Sequence, residues 1–438
     1  MNLFWKKLTG RLIPTEKLEQ QEAELIQDMI RYDKVEKSAE LAEYNHLFHV
    51  VKSAKFQENK KTLQNRKYKD TEEYRVSTKF RKMQNSKKIQ DYFETLNSAG
   101  LKTYLAFKAT PEFEQLGDKK AVAASEKLRE LKGFEHSKTY KNYVRFHESY
   151  VIKEYNELKE KVASAEFKTK NDFWANPKRW HTTPEYVQEQ RMYELQKTSD
   201  ISFFLNEKPS RFEKIRQLQL TFSDDFSWKT VAESKWQPGF HYKSPVLKGL
   251  HSFANEQQAN NNGKNVSAGN GRLVIATRHE KTTASAWEVT KGFIEKEFSY
   301  TSDVIQTADT FRQKNGLFRA KIKTHGAIHH AFWLGADGKL PHINIFHFDG
   351  KSITVGNAGK NGFEGTVIKG ISSTDYFIYS LIWTPKELIW QVNNIEIFRT
   401  ANNVPAELLY LSFNSFISRK QHANDGSLEV EWVKVYSL

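Results

Sequence analysis

Leu340-Pro-His-Ile-Asn-Ile-Phe-His-Phe348 is a short run in which polar and apolar side chains alternate. Alternation with a period of two places His342 and Asn344 on one face of a β-strand. Asp337-Gly338 precedes the run and Asp349-Gly350 follows it, and such pairs are typical of tight turns between strands. The run is therefore predicted to be one strand of a β-sheet.

Turn signals of this kind recur through the second half of the chain, with short alternating segments between them, which is the pattern of a β-sandwich. They are Asn262-Gly263, Asn270-Gly271, Asp337-Gly338, Asp349-Gly350, Asn361-Gly362 and Asp425-Gly426. Before residue 210 glycine is scarce, and apolar residues recur at spacings of three and four, which predicts helices. After a short linker at Asn206–Ser210, the chain changes character. The prediction is an all-α helical region at 1–210 and an all-β jelly-roll sandwich at 211–438.

Further motifs surround the opening run, and together they form an ordered series. They are Asp303–Phe311, Asn315–Lys323, Ala331–Gly335, the run itself, Tyr379–Pro385, Ile389–Asn394 and Val430–Tyr436. In this order and at these spacings, the segments resemble the laminarinase-like branch of the family 16 glycoside hydrolases. The resemblance covers about residues 218 to 438 and implies a concanavalin A-like jelly roll.

The family carries a Glu-x-Asp-x-x-Glu strand, and the resemblance places its three carboxylates at His342, Asn344 and His347. In the family these positions hold the nucleophile, the residue that tunes it and the acid/base, and a β-bulge brings the third onto the face of the other two. A retaining glycosidase needs two carboxyl groups about 5 Å apart. Imidazole cannot replace the carboxylate nucleophile, and an amide carries no charge. The resemblance therefore predicts a pseudoenzyme without catalytic residues.

The same region supplies the candidate ligand contacts. The candidate cleft residues are His329, Trp333, His342, Asn344 and His347. With His325 and His330, the histidines form a dense cluster, but their spacing lacks a metal-binding signature. On alternating strands about half of them should point away from the cleft. Hydrogen-bonding histidines are therefore predicted, with no metal and no cofactor.

The helical region contains an internal repeat. Glu43-Tyr-Asn-His-Leu47 and Val51–Phe56 reappear as Glu154-Tyr-Asn-Glu-Leu158 and Val162–Phe167 at an offset of 111 residues, and the match extends over about 40–95 and 151–205. Within it, a Ser or Thr repeatedly precedes an apolar residue by three, which is a helix-start signal. Stacked helical repeats usually form interaction surfaces. A protein partner or self-association is predicted for this region, with a simple helical spacer as the alternative.

The net charge suggests nucleic acid as a second class of partner. The chain has 67 Lys and Arg against 53 Asp and Glu, a net charge of +14, and residues 51–110 hold 15 basic against 6 acidic side chains. Such a surplus, interleaved with aromatic residues, could meet phosphates and stack on bases. A solvated helical face is the favoured interpretation, and nucleic acid stays open as the less favoured one.

Cysteine content and the lack of long apolar runs indicate where the protein is located. The chain has no cysteine, no apolar run of signal-peptide length at its start and no window that could span a membrane, so a cytoplasmic location is expected. The leading hypothesis is a non-catalytic structural or interaction protein that could bind a polysaccharide. The alternative is a divergent glycan-active or metal-dependent enzyme that uses the histidine cluster, with His342 and His347 as acid and base.

Overall fold

The computed structural model describes residues 2–228, 231–241 and 251–438. The α-helices are α1 (Phe4–Leu8), α2 (Thr15–Glu36), α3 (Ala39–Lys52), α4 (Ala54–Asn65), α5 (Glu72–Gln84), α6 (Lys87–Asn97), α7 (Ala99–Lys108), α8 (Lys119–Ala124), α9 (Glu126–His136), α10 (Lys138–Phe146), α11 (Tyr150–Ala163), α12 (Ala165–Ala175), α13 (Pro184–Lys197), α14 (Ser199–Asn206) and α15 (Glu213–Arg216). Short 3₁₀-helices lie at Tyr68–Asp70, Pro111–Gly117, Arg179–Thr182 and Pro209–Phe212.

The strands are β1 (Gln219–Asp224), β2 (Gln237–Pro238), β3 (Ser252–Phe253), β4 (Gln258–Asn260), β5 (Val266–Gly269), β6 (Arg272–Glu288), β7 (Gly292–Ser302), β8 (Val304–Gln306), β9 (Arg312–Gln313), β10 (Gly316–His325), β11 (His329–Gly335), β12 (His342–Asp349), β13 (Ile353–Gly359), β14 (Gly362–Ile368), β15 (Phe377–Trp383), β16 (Leu388–Val392), β17 (Ile395–Thr400), β18 (Leu409–Phe416) and β19 (Gly426–Ser437). A helical first half and a β-sandwich second half are thus both observed, as predicted.

The chain divides into two compact units. One unit is Asp33–Asn206, and the other combines Met1–Tyr32 with Glu207–Leu438. The change near residue 210 that the sequence indicates lies close to the observed division at 206. The first 32 residues, however, group with the sandwich, whereas the sequence interpretation assigned them to the helical region.

The sandwich consists of two largely antiparallel sheets that enclose one core. The first follows the order β17-β16-β15-β10-β19-β6-β7-β4, and the second follows β14-β13-β12-β11-β18-β8-β2. Apolar side chains from both sheets form one buried cluster. Phe346 of β12, for example, meets Tyr379 of β15 with ring centroids 4.6 Å apart. The sheets are therefore joined by the apolar faces that the alternation predicted.

Residues 2–32 belong with the sandwich because they complete its core and cover one of its faces. Leu3 and Leu12 are buried in the same cluster as the strand residues. Glu22 of α2 forms a two-pronged ion pair with Arg319 of β10, at 3.0 and 2.9 Å, and Glu19 accepts a bond of 2.8 Å from Lys321. These partners are about three hundred positions apart in sequence, so no local pattern could reveal the pairing.

In the helical unit, serine and threonine caps mark the helix starts. The backbone N–H of Leu41 donates to Ser38 at 3.1 Å, and that of Phe167 donates to Ser164 at 3.2 Å. Ser86 occupies the N-cap of α6 without accepting such a bond. A side-chain cap satisfies an amide that the helix leaves unpaired. The repeated Ser/Thr pattern therefore marks real helix boundaries.

The chain of the helical unit folds back on itself. Helix α3 packs on α13, α5 on α11 and α6 on α10. Its apolar residues form several small clusters, each joining segments from the outgoing and returning parts of the chain. The two predicted repeat segments, about 40–95 and 151–205, therefore pack against each other.

The contacts between the two repeat segments are reciprocal. The repeat relates α3 to α11 and α5 to α13. Helix α3 packs on α13, the counterpart of α5, and α5 packs on α11, the counterpart of α3. Ion pairs repeat in the same way, since Arg191 pairs with Glu43 at 2.8 Å and Lys79 pairs with Glu154. Reciprocal pairing is the pattern of a two-fold arrangement. The duplication itself stays a prediction, and these contacts support it.

Candidate functional site

Strand β12 presents the three positions that the resemblance singled out on one face. His342, Asn344 and His347 line a cleft of about 360 Å³, while the side chains between them, including Ile343 and Phe346, enter the core. The pairing of β12 with both neighbouring strands shifts register within Asn344–His347 and Phe332–Trp333. This irregularity re-aims the strand and brings His347 onto the face of His342 and Asn344.

The neighbouring strands extend the cleft with aromatic and amide side chains. Trp333 of β11 and Asn414 of β18 both line it, and the indole N–H of Trp333 donates to Asn414 Oδ1 at 2.9 Å. Tyr410 meets the Trp333 ring at 5.7 Å in a T-shaped contact, and the His342 ring lies 4.8 Å from that indole. Trp333 therefore faces the cleft in a fixed orientation.

His329 lies beside the cleft and contacts its lining. Its Nδ1 lies 3.0 Å from Nε2 of His347, and its ring stacks on Phe416 at 4.3 Å. Phe416 itself lines the cleft. Two neutral imidazoles make such a bond when one ring donates and the other accepts. His329 thus orients His347, which is a different placement from the direct ligand contact expected of it.

The histidines at the cleft are held in their neutral forms. Burial, reinforced by the neighbouring His329, lowers the pKa of His347 to about 4. Burial also lowers the pKa of His329 and that of His342, an effect opposed by the hydrogen bond that His342 Nε2 donates to Asn344 Oδ1. At neutral pH these side chains therefore offer hydrogen-bond donors and acceptors to a ligand, with no positive charge.

The other two histidines of the cluster point elsewhere, as alternation along a strand requires. His330 is fully buried, with Nδ1 2.8 Å from Ser415 Oγ and Nε2 3.1 Å from the carbonyl oxygen of His325. His325 is half exposed and faces Glu429 at 3.4 Å. In the described part of the chain, no three His, Asp or Glu side chains converge as a metal ion would require.

Several residues that line the cleft were not predicted from the sequence. Glu256 and Phe253 reach the cleft from the segment around β3, Phe240 from the residues after β2, and Lys339 from the β11–β12 connection. Burial raises the pKa of Glu256 to about 7, against a hydrogen bond from Gln258 and the charge of Lys296. Among the described lining residues Glu256 supplies the carboxyl group of the cleft. Short, irregular segments such as its own have no periodicity from which to predict a contact.

A polar network borders the cleft beside Tyr410. Arg312 forms an ion pair of 2.6 Å with Asp337, and His241 lies 3.1 Å from the same carboxylate. The guanidinium of Arg312 also lies 5.5 Å from the Tyr410 ring centroid. Burial raises the pKa of the Tyr410 phenol to about 12. The Tyr410 side chain therefore stays protonated and is held at the cleft edge.

Asp224, one of the two acids before Phe226, has a structural place. One carboxylate oxygen accepts the backbone N–H of Phe226 at 3.1 Å, and the other accepts the indole N–H of Trp236 at 2.9 Å. The side chain is buried. It anchors a turn and a core tryptophan and lies outside the cleft lining.

Comparison with known proteins finds relatives for the C-terminal half. The glucan endo-1,3-beta-glucosidase A1 of Niallia circulans is 24% identical over 273 residues, which cover 51% of this chain and 38% of that protein. The chain thus spans about two-fifths of the length of this curated relative. No family model matches.

Among solved structures, the laminarinase catalytic domain from Thermotoga maritima is 18% identical, with a TM-score of 0.42, over 51% of this chain and 99% of that one. A non-specific endo-beta-1,3(4)-glucanase from family GH16 is 21% identical, with a TM-score of 0.42, over 50% of this chain and 91% of that one. The C-terminal half is thus similar to family 16 glycoside hydrolases. Among the described residues no helix combines the length and apolar character needed to cross a bilayer.

Proposed function

We propose that this chain is a non-catalytic glycan-binding protein, whose sandwich holds a polysaccharide in the cleft without hydrolysing it. The observation that carries the proposal is the face of β12, where His342, Asn344 and His347 stand together on the cleft. Hydrolysis with retention needs two carboxyl groups about 5 Å apart, and this face offers two neutral imidazoles and an amide. The C-terminal relatives are named as β-1,3-glucanases, so β-1,3-glucan is the first ligand to test.

The lining of the cleft supports binding of a sugar chain. Trp333, Tyr410 and Phe416 present aromatic rings beside the amides of Asn344 and Asn414. Apolar faces next to a few oriented polar groups are typical of small-molecule and sugar sites, because a sugar ring has C–H faces and hydroxyl edges. The indole of Trp333 is already bonded to Asn414, so its ring face loses little freedom when a ligand stacks on it.

The test is native affinity electrophoresis of the full chain in gels that contain a soluble β-1,3-glucan, a mixed-linkage β-glucan or a galactan. Reducing ends are assayed on the same samples. The full chain is needed because Leu3 and Leu12 lie in the sandwich core, so a protein that starts at residue 211 would lose part of that core. We expect retardation by a β-glucan without release of reducing ends.

Trp333→Ala should lower the affinity calculated from the retardation about tenfold, because the loss of a central aromatic contact costs ~1.4 kcal/mol or more of binding free energy. Trp228→Ala is the matched control, since Trp228 is 65% exposed and lies outside the cleft lining. Equal retardation of the two variants would argue against binding in this cleft. Release of reducing ends that disappears in His347→Ala would replace the proposal with an enzyme.

A divergent glycan-active enzyme is the second candidate, and Glu256 is the observation that favours it. Its raised pKa of about 7 suits a group that transfers protons near neutral pH. The pKa of His347 is lowered to about 4. His347 could then serve as a general base, but it would be unprotonated at pH 7 and therefore a poor general acid. The reducing-end assay distinguishes this candidate from the binding protein.

For the helical unit we propose a protein partner or self-association. Exposed apolar side chains on its surface support this, among them Val144 at 55% and Tyr150 at 75% exposure. Its basic surplus at 51–110 is partly balanced by later acidic residues, as in the pairing of Lys60 with Glu189 at 2.6 Å, which weakens the case for nucleic acid. Sedimentation velocity over a range of concentrations measures self-association directly.

A further inference from the structure

The segment that joins β3 to β4 holds Glu256 at the cleft through its backbone. The N–H of Ala254 donates to the carbonyl of Trp287 at 3.0 Å, and that of Gln257 donates to the carbonyl of Ile417 at 3.0 Å. Glu256 itself forms a β-bridge with Ser418. The residues on both sides of Glu256 are therefore tied to neighbouring strands, and its side chain leaves the backbone in a defined direction.

A buried amide orients the carboxyl group. Gln258 is 1% exposed, and its Oε1 accepts the backbone N–H of Ile417 at 2.7 Å. The NH₂ end of the same amide must therefore face Glu256, and it donates to Oε2 at 2.6 Å. The other carboxyl oxygen, Oε1, makes no hydrogen bond with the described residues. One oxygen is thus anchored, and the other is left for a ligand.

Lys296 holds the β3–β4 segment in place by binding its backbone, and it makes no direct bond with the carboxyl group of Glu256. Its ammonium donates to the backbone carbonyl oxygens of Ala254 and Glu256 at 2.7 and 2.8 Å, and it lies 4.4 Å from the centroid of the Phe298 ring. Its charge lowers the pKa of Glu256 less than burial raises it. The carboxyl group is positioned, half-buried and close to its midpoint at neutral pH.

We propose that Glu256 is the carboxylate through which the cleft recognises a neutral polysaccharide, with Oε1 accepting hydrogen bonds from sugar hydroxyl groups. This inference rests on the proposed glycan-binding function and adds the residue that makes binding depend on pH. A charged acceptor forms a stronger bond with a hydroxyl group than a neutral one. Protonation of Glu256 should therefore weaken binding as the pH falls.

The other ionisable groups around Glu256 lie in the cleft and in the cavity that adjoins it. Those that line the cleft with it are His342, His347, Lys339 and Tyr410, and burial raises the pKa of Tyr410 to about 12. Those that line the adjoining cavity with it are Lys296, Arg419, Glu288 and Glu297. The two histidines have lowered pKa values, so they are already neutral when Glu256 titrates. Burial and the charge of Arg419 lower the pKa of Lys296, and the charge of Glu256 opposes them.

The experiment measures binding of a soluble β-1,3-glucan to the full chain from pH 5 to pH 9, by calorimetry. For the unsubstituted protein we expect affinity to rise about tenfold between pH 6 and pH 8. Glu256→Gln, which keeps the shape and removes the charge, should bind equally weakly at every pH. Glu288→Gln is the matched control, because Glu288 lines only the adjoining cavity, and it should keep the wild-type profile.

Thermal unfolding without ligand distinguishes a failure of the proposed glycan binding from a failure of the role inferred for Glu256. The raised pKa of Glu256 means that the folded protein holds its proton more tightly than the unfolded chain, so the contribution of Glu256 to stability falls as the pH rises from about 4.5 to 7. Glu256→Gln should remove this fall. If that stability effect appears but Trp333→Ala and the unsubstituted protein both bind no glucan, the proposed function fails. If glucan binds through Trp333 with the same pH profile in Glu256→Gln, this inference alone is overturned.

Discussion

His330 and His347 lie on adjacent strands, and their surroundings assign them different tasks. Nε2 of His330 faces a carbonyl oxygen, so it must donate, and Nδ1 then accepts from Ser415. A proton on Nδ1 would reverse that bond and place a positive charge inside the core, and burial lowers the pKa of His330 to about 3. His347 keeps one side on the cleft. His330 is therefore a core residue, and His347 is available to a ligand.

The protonation of His330 gives a test of acid stability. The unfolded chain takes up a proton near the ordinary histidine pKa of about 6.5, whereas the folded protein does not, so stability is complete above that value and falls as the pH drops. Between pH 6.5 and 5 the loss from one such group is ~2 kcal/mol. His330→Gln should flatten this part of the profile.

The measurement is urea unfolding at several pH values, compared by slope, because the substitution also changes packing. His325→Gln is the control, since its side chain is half exposed and close to Glu429. A His330→Gln variant with an unchanged slope between pH 6.5 and 5 would contradict the assignment. The sequence placed both histidines in one cluster. Alternation predicted that some would face away, but only their contacts identify which ones.

At the scale of elements, α2 shows how far the local pattern reaches. Its helical spacing predicts a helix, and a helix is observed at Thr15–Glu36. Its partner is β10, where Arg319 is 7% exposed and bonded to Glu22. A nearly buried arginine on a strand is unusual unless it is paired. Such a residue could have signalled a cover for this sheet, although it could not have named α2.

Removal of Glu22 should therefore destabilise the sandwich. Glu22→Ala leaves the Arg319 charge nearly buried and unpaired, and we expect a loss of about 2 kcal/mol in the free energy of unfolding, less than for a fully buried pair because Glu22 is partly exposed. Glu24→Ala is the matched control on the exposed side of the same helix. The double variant Glu22→Ala/Arg319→Met should recover most of the loss.

Chemical denaturation of the four proteins, followed by tryptophan fluorescence, provides the measurement. If Glu22→Ala and Glu24→Ala unfold at the same denaturant concentration, α2 does not contribute to the sandwich through this pair. Strand β12 behaved as the alternation predicted, because its apolar side chains enter the core and His342 and Asn344 line the cleft, whereas β15 and β18 are buried along almost their whole length. The bulge in β12 was expected from the resemblance to a family and would not have followed from alternation.

At the scale of the molecule, the two compact units have separate apolar cores. Leu381 belongs to the large cluster of the sandwich, and Met192 belongs to a cluster of the helical unit. Both side chains are buried to within 1% exposure. Because the clusters share no residue, we expect two thermal transitions, one for each unit, under conditions where unfolding is reversible.

Calorimetry of two core variants tests this expectation. Leu381→Ala and Met192→Ala each create a cavity and should cost about 2–5 kcal/mol. Each should lower the temperature of one transition and leave the other within error. A single transition that both variants shift equally would mean that the units unfold together.

The division of the chain was only partly predictable. The shift from helical spacing to alternation near residue 210 reflects local side-chain periodicity, which the sequence displays directly. The grouping of residues 2–32 with the sandwich depends on Leu3, Leu12 and the α2 ion pairs meeting strands far along the chain. The folding back of the helical unit likewise depends on which helices meet, and similar amphipathic helices can pack in more than one order.

Sequence alone was enough for the class of each half, for the helix starts marked by serine and threonine, and for the alternation that places His342 and Asn344 on one face of a strand. Each of these is a property of neighbouring residues or of a motif on one strand. Tertiary structure alone decided that Glu256 reaches the cleft, that His329 supports His347 and that residues 2–32 complete the sandwich. These depend on contacts between segments distant in the chain, where chain connectivity, packing and burial, and not periodicity, determine which side chains meet.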